Sequence, residues 1–129
     1  MQLARTIARV LVGLLFVLAG VVPFLMAPPP QPGLAGVVND ALYRSHWSQF
    51  VGFAQIVIGA LLLANRYVPL ALMMLFAFLY NSFAYHIGTS PIALPLPILV
   101  TGLAIFIGWP YRRAFSAFFR AKPEAAERP

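Results

Sequence analysis

Charged residues are so sparse in this chain that four stretches of about twenty residues run almost without one, each near the ~20 residues a helix needs to cross a bilayer core. The pattern predicts spans over 6–26, 48–65, 68–87 and 91–109. The first carries only Arg9, near its start. It also resembles a signal sequence, with Arg5 and Arg9 ahead of it and a weak cleavage match at Val17-Leu18-Ala19, but the apolar run continues past that point and is read as a span. In the fourth, Pro95 and Pro97 place the start of regular helix near Pro95, because a proline is harmless only in the first turn.

Between the first two spans, "APPPQPG" reads as a stiff extended strap. After it, Leu34, Val37, Val38, Ala41 and Leu42 share one face of an expected short surface helix, opposite Asn39, Asp40 and Arg44. After the last span, "PYRRAFSAFFR" places Tyr111, Phe115, Phe118 and Phe119 on one stripe beside Arg112, Arg113 and Arg120. That is a second interfacial helix, suited to anionic lipid. The expected fold class is therefore all-α: a polytopic membrane protein, a four-transmembrane-helix bundle with short interfacial helices. Residues 1–119 form its single domain, and 120–129 a disordered cytoplasmic tail.

Composition sharpens this picture. The chain is 61% hydrophobic and only 9% charged over 129 residues, with a mean hydropathy of +0.84; soluble domains carry about 25% charged residues. Without a cysteine it has no thiol redox chemistry, disulfide, Cys-ligated zinc or iron–sulfur cluster. The net charge of +6 does not indicate nucleic acid, because the basic residues flank the apolar runs. Eight of the nine lie on one side of a four-span arrangement, namely Arg5, Arg9, Arg66, Arg112, Arg113, Arg120, Lys122 and Arg128, with Arg44 alone opposite. The positive-inside rule then predicts a multi-pass protein of the cell (inner) membrane with both termini cytoplasmic.

Polar residues inside spans are the candidates for function. Gln55 lies about 10 Å and Asn81 about 9 Å below the outer ends of consecutive helices, at 1.5 Å per residue. Gly52, Gln55 and Gly59 form one small-residue face; Ala77, Asn81, Ala84 and Gly88 form another. The expectation is that these faces meet and that Gln55 and Asn81 hydrogen-bond across the hairpin. Tyr85, at i+4 from Asn81, is placed to join them. His86 lies about 140° around the helix from Asn81 and is expected at the outer waterline. His46, beside Trp47, belongs to the same side; the two histidines suggest a haem or metal site only weakly, with Asp40 the one carboxylate nearby. No Asp, Glu or Lys falls within a span, and no Ser/His/Asp set or phosphate loop appears.

An ordered set of segments resembles the DoxX-like family of small four-helix integral membrane proteins. It comprises "GLLFVLAG" followed by a proline-rich segment, "QIVIGALLLANRYVPLAL", the spacing of Asn81, Tyr85 and His86, then Pro91, Leu94 and Pro95, and finally "WPYRRAF". Together they cover roughly residues 9–119. Two positions depart from the family pattern: Gln55 stands where relatives often carry a glutamate, and Val22-Pro23 where they carry an Asn or Lys. The resemblance implies a membrane partner of an oxidoreductase, with quinone-linked sulfur oxidation among the activities described for such proteins.

Three functions are then in view. The first is a non-enzymatic membrane subunit or scaffold, of an oxidoreductase system on the resemblance. The second is a quinone or lipid-like ligand site in electron transfer, with Gln55, Asn81, Tyr85 and His86 as the binding residues. The third is a small transporter working as a homo-oligomer.

Overall fold

The computed structural model describes residues 1–126, all of whose regular structure is helical. The elements are α1 (Gln2–Leu25), α2 (Gly33–Arg44), α3 (Trp47–Ala64), α4 (Val68–Thr89), α5 (Pro95–Gly108) and α6 (Arg112–Ser116). Short 3-10 turns lead into α5 (Pro91–Ala93) and flank α6 (Trp109–Tyr111 and Ala117–Phe119). Regular helix in the fourth span starts at Pro95 as expected, while α1 begins earlier than the apolar run, at Gln2. Residues 120–126 form no helix; the rest of the expected tail, 127–129, lies outside the described residues.

Four helical runs are long and apolar enough to cross a membrane, the last extending from Pro91 to Phe119. Their outward faces carry large apolar side chains. Leu18, Phe53, Leu70, Ile98 and Ile105 are each more than half exposed, as suits lipid tails and not water. The fold is that of a multi-pass membrane protein built on a four-helix bundle.

The closest helix pair is α1 with α3, and glycine sets it. A Cβ on Gly59 would stand 2.5 Å from the Gly13 carbonyl oxygen, and one on Gly52 2.5 Å from that of Gly20. The pairs 13/59 and 20/52 run in opposite directions, so the helices are antiparallel and in backbone contact along two turns. The expected packing of Gly52 and Gly59 against the Ala77 stripe is thereby corrected: the α3 glycines face α1. The reason is that α1 offers glycines at the same spacing of seven, Gly13 and Gly20, whereas α4 offers alanines that leave the backbones further apart.

At the end of the bundle that holds the chain termini, a three-residue turn joins α3 to α4. Both Asn65 (φ 53°) and Tyr67 (φ 52°) adopt the left-handed conformation. Asparagine tolerates it; for tyrosine it costs roughly 1–2 kcal/mol. Arg9 reaches across from α1, its guanidinium donating to the Leu62 carbonyl and, at 3.4 Å, to the Leu63 carbonyl. These belong to the last turn of α3, where carbonyls lack helical donors.

The core is concentrated at this same end. Leu62, Ala71, Leu72, Leu75 and Ala104 are completely inaccessible, with Val12, Val68 and Ile107 close to it. Toward the other end the helices enclose cavities instead. The bundle is solid in one half and hollow in the other.

Helix α2 lies across the hollow end, turned differently from its expected pose. Ala35, Gly36, Val38, Asn39, Leu42 and Tyr43 are its half-buried positions, whereas Leu34, Val37 and Ala41 are exposed. Asn39 faces the bundle because Tyr85 binds it: the Tyr85 hydroxyl donates to Asn39 Oδ1. Asn39 Nδ2 in turn donates to Gln31 Oε1 at 3.2 Å, tying the proline-rich strap into the same chain of bonds.

Candidate functional site

The hollow half holds two cavities that share a wall. The larger, of about 610 Å³, is a groove between α3 and α4 that opens sideways, with α2 at its end. Val51, Ala54 and Ile58 of α3 and Met74, Ala77 and Phe78 of α4 supply apolar walls; Leu42 of α2 and Trp47 border it toward the α2 end. The smaller, of about 170 Å³, lies further in, between α1, α4 and α5. Gln55, Phe78, Ser82 and His86 line both. Neither cavity is lined by Asp, Glu, Lys or Arg.

All four residues proposed from the sequence, Gln55, Asn81, Tyr85 and His86, line the groove. The expected bond between Gln55 and Asn81 is not made. Asn81 Nδ2 instead donates to the Ala77 carbonyl of its own helix, at 3.0 Å. The groove between α3 and α4 is the cause, since it separates the two amides that a tight hairpin would have joined. Asn81 is exposed on the groove's rim, and Ala77, Ala84 and Gly88, its stripe, are exposed with it.

His86 is also placed differently from its expected position at the waterline. Its ring is half-buried, lines both cavities, and stands edge-on to Tyr85 with ring centres 5.1 Å apart. Its Nδ1 is covered and has no protein hydrogen-bond partner among the described residues. The side-chain hydrogen bonds around the cavities include Gln49 to the Pro23 carbonyl, Asn81 to the Ala77 carbonyl, Tyr85 to Asn39, Asn39 to Gln31, Thr89 to the Tyr85 carbonyl and Thr101 to the Pro97 carbonyl. None uses Gln55, Ser82 or His86, so three side chains at the shared wall keep their hydrogen-bonding capacity for another partner.

Ser82 went unnoticed in the sequence, although the spacing marks it. Phe78, Ser82 and His86 stand at i, i+4 and i+8, a stripe next to that of Ala77, Asn81 and Tyr85. The first stripe points into the bundle and the second along the groove. His46 caps the start of α3 in a left-handed conformation (φ 62°), and no group of three or more His, Cys, Asp or Glu that could hold a metal occurs among the described residues.

A quinone-type cofactor, as the resemblance implies, suits these residues. Its neutral head group needs hydrogen-bonding side chains, which Gln55, Ser82 and His86 supply, and apolar walls for its tail.

Fold and cavities together define a class, a multi-pass membrane protein with a side-opening chamber in one half of its bundle. Compared with models of protein families, with curated proteins and with solved structures, the chain matches none.

Proposed function

We propose that this chain is a membrane-embedded binding protein that holds a neutral, membrane-dissolved ligand of quinone or lipid-like kind in the groove between α3 and α4. The observation that carries this reading is the groove itself. At about 610 Å³ it falls within the range of small-molecule sites, and unspent polar groups sit along one side of an otherwise apolar wall. In a hydrocarbon environment such groups find no water, and a ligand sharing their hydrogen bonds gains what the bilayer does not offer. By the distribution of basic residues, the groove lies in the outer half of the cell (inner) membrane and both termini are cytoplasmic. On the DoxX-like resemblance the ligand is a quinone and the chain serves an oxidoreductase. The buried core of the solid half closes any route through a single copy, so a transporter of this fold needs a path lined between copies.

A second reading, the subunit or scaffold, has one observation in its favour. Ala77, Asn81, Ala84 and Gly88 form an exposed small-residue stripe, and such stripes let a partner helix approach closely. Native mass spectrometry of protein extracted gently from its own membranes separates the two. The ligand reading expects a retained small molecule that is lost in Gln55→Leu with the helical fold intact. A chain that carries only a second protein, with no small molecule, overturns it and leaves the scaffold.

A further inference from the structure

We propose that the inner cavity is the seat of a single uncharged ring carrying a hydroxyl on its edge, a phenol-class head group, whose apolar chain leaves between α1 and α5. The inference rests on the ligand reading above and takes its free polar groups at the shared wall, Gln55, Ser82 and His86, as the contacts of a head group.

Size is the first argument. A cavity of roughly 150 Å³ lined by Leu, Ile and Phe is enough for one benzene ring, and the inner cavity measures about 170 Å³. Its walls suit a flat apolar face: Phe16 and Phe78 meet edge to face, their ring centres 5.1 Å apart, and both line it with Leu79 and Val100.

Polarity is the second. Gln55, Ser82 and His86 are the only polar side chains lining the inner cavity, and all three also border the groove. Hydrogen-bonding capacity is therefore gathered on the groove side, while the surfaces from α1 and α5 are apolar. A ring seated there presents one edge to these three groups. A hydroxyl on that edge both donates and accepts, so it meets the Gln55 amide, the Ser82 hydroxyl and the remaining imidazole nitrogen, Nε2, whichever way each is oriented.

Charge is the third. With no Lys or Arg among the described residues lining either cavity, a carboxylate or phosphate head would be desolvated without a fixed counter-charge. That disfavours fatty acids and phospholipids, the commonest amphiphiles around it. Opposite the shared wall the cavity is bordered by Leu15 of α1 and Leu96 of α5, both exposed, where an alkyl or isoprenoid chain para to the hydroxyl continues into the bilayer.

The test uses the full chain in nanodiscs with three probes of matched chain length, 4-nonylphenol, nonylbenzene and 1-nonanol, their retention read by native mass spectrometry. The expected result is retention of 4-nonylphenol about tenfold above either of the others, the factor expected for a buried ring plus a satisfied hydrogen bond. Ala19→Phe fills the inner cavity from α1, and Leu96→Trp fills it from a residue already more than half exposed. Each removes the preference for 4-nonylphenol while retention of 1-nonanol stays, with helical content by circular dichroism confirming the fold. Losing the preference in His86→Leu but keeping most of it in His86→Gln gives the hydrogen bond its place. If 4-nonylphenol is held no better than 1-nonanol, or if the filling variants leave its preference unchanged, the ring seat is overturned while the groove stands. Retention of none of the three probes overturns both.

Discussion

Arg9 is the only charge inside the first apolar run, and the structure accounts for it by partnership. Its guanidinium binds carbonyls of the last turn of α3, where the helix dipole is negative and the Leu62 carbonyl otherwise accepts only the Asn65 N–H of the turn. A hydrogen bond involving a charged group contributes about 1.5–3 kcal/mol when partly buried. Arg9→Met is therefore expected to lower the stability of the folded bundle by about 2 kcal/mol, measured as the midpoint of unfolding in mixed micelles. Arg9→Lys recovers part of it, since one ammonium reaches fewer carbonyls than a planar fork. An unchanged midpoint for Arg9→Met means that the contact contributes nothing. At this same scale, His86 and Ser82 show what a list of polar positions misses. Their importance lies in the absence of partners, which is a property of surroundings and not of residue type.

At the scale of the element, the two glycine pairs decide how the bundle is put together. An added methyl at Gly52 or Gly59 meets backbone oxygen, which cannot swing aside as a flexible side chain can, so the helices must separate. Gly52→Ala and Gly59→Ala should each destabilise the protein by about 1–3 kcal/mol, the range for overpacked interiors. Gly88→Ala and Gly102→Ala have open space at the new methyl and should be neutral or slightly stabilising, because alanine favours helix by about 1 kcal/mol. Thermal unfolding of the four variants gives a direct comparison, and equal behaviour of all four would dismiss the glycine contact. The spacing of seven in both glycine pairs is visible in the sequence. Which helix each pair faces is not, because α3 has two neighbours and periodicity names only a face.

The whole molecule is polarised, with a solid end at the termini and a chambered end under α2. Two causes are visible. The three-residue turn holds α3 and α4 together at the solid end, where Arg9 adds a clamp from α1; at the other end α3 and α4 have no short link, and α2 and the strap span the gap. A chamber of this kind opens sideways, and on the proposed ligand reading exchange is expected with the bilayer and not with bulk water. Orientation is open to direct measurement because the chain contains no cysteine. A cysteine at Ser45 is expected to react with a membrane-impermeant maleimide on intact cells, and one at Ala121 only after permeabilisation. The reverse pattern would invert the assignment of the chamber to the outer half.

Taken alone, the sequence determined the number of long apolar helices and the start of α5 at Pro95, and it picked Gln55, Asn81, Tyr85 and His86 out of the spans. Those are matters of composition and local period, and in a membrane the need to satisfy every backbone group leaves few alternatives. Only the tertiary structure decided that the glycines of α3 serve α1, that Asn81 bonds within its own helix, that α2 turns Asn39 inward, and that Ser82 and His86 stand between two cavities. The physical reason is that a void is the difference between facing surfaces. Each helix specifies its own surface, but the space left over depends on how closely four of them meet.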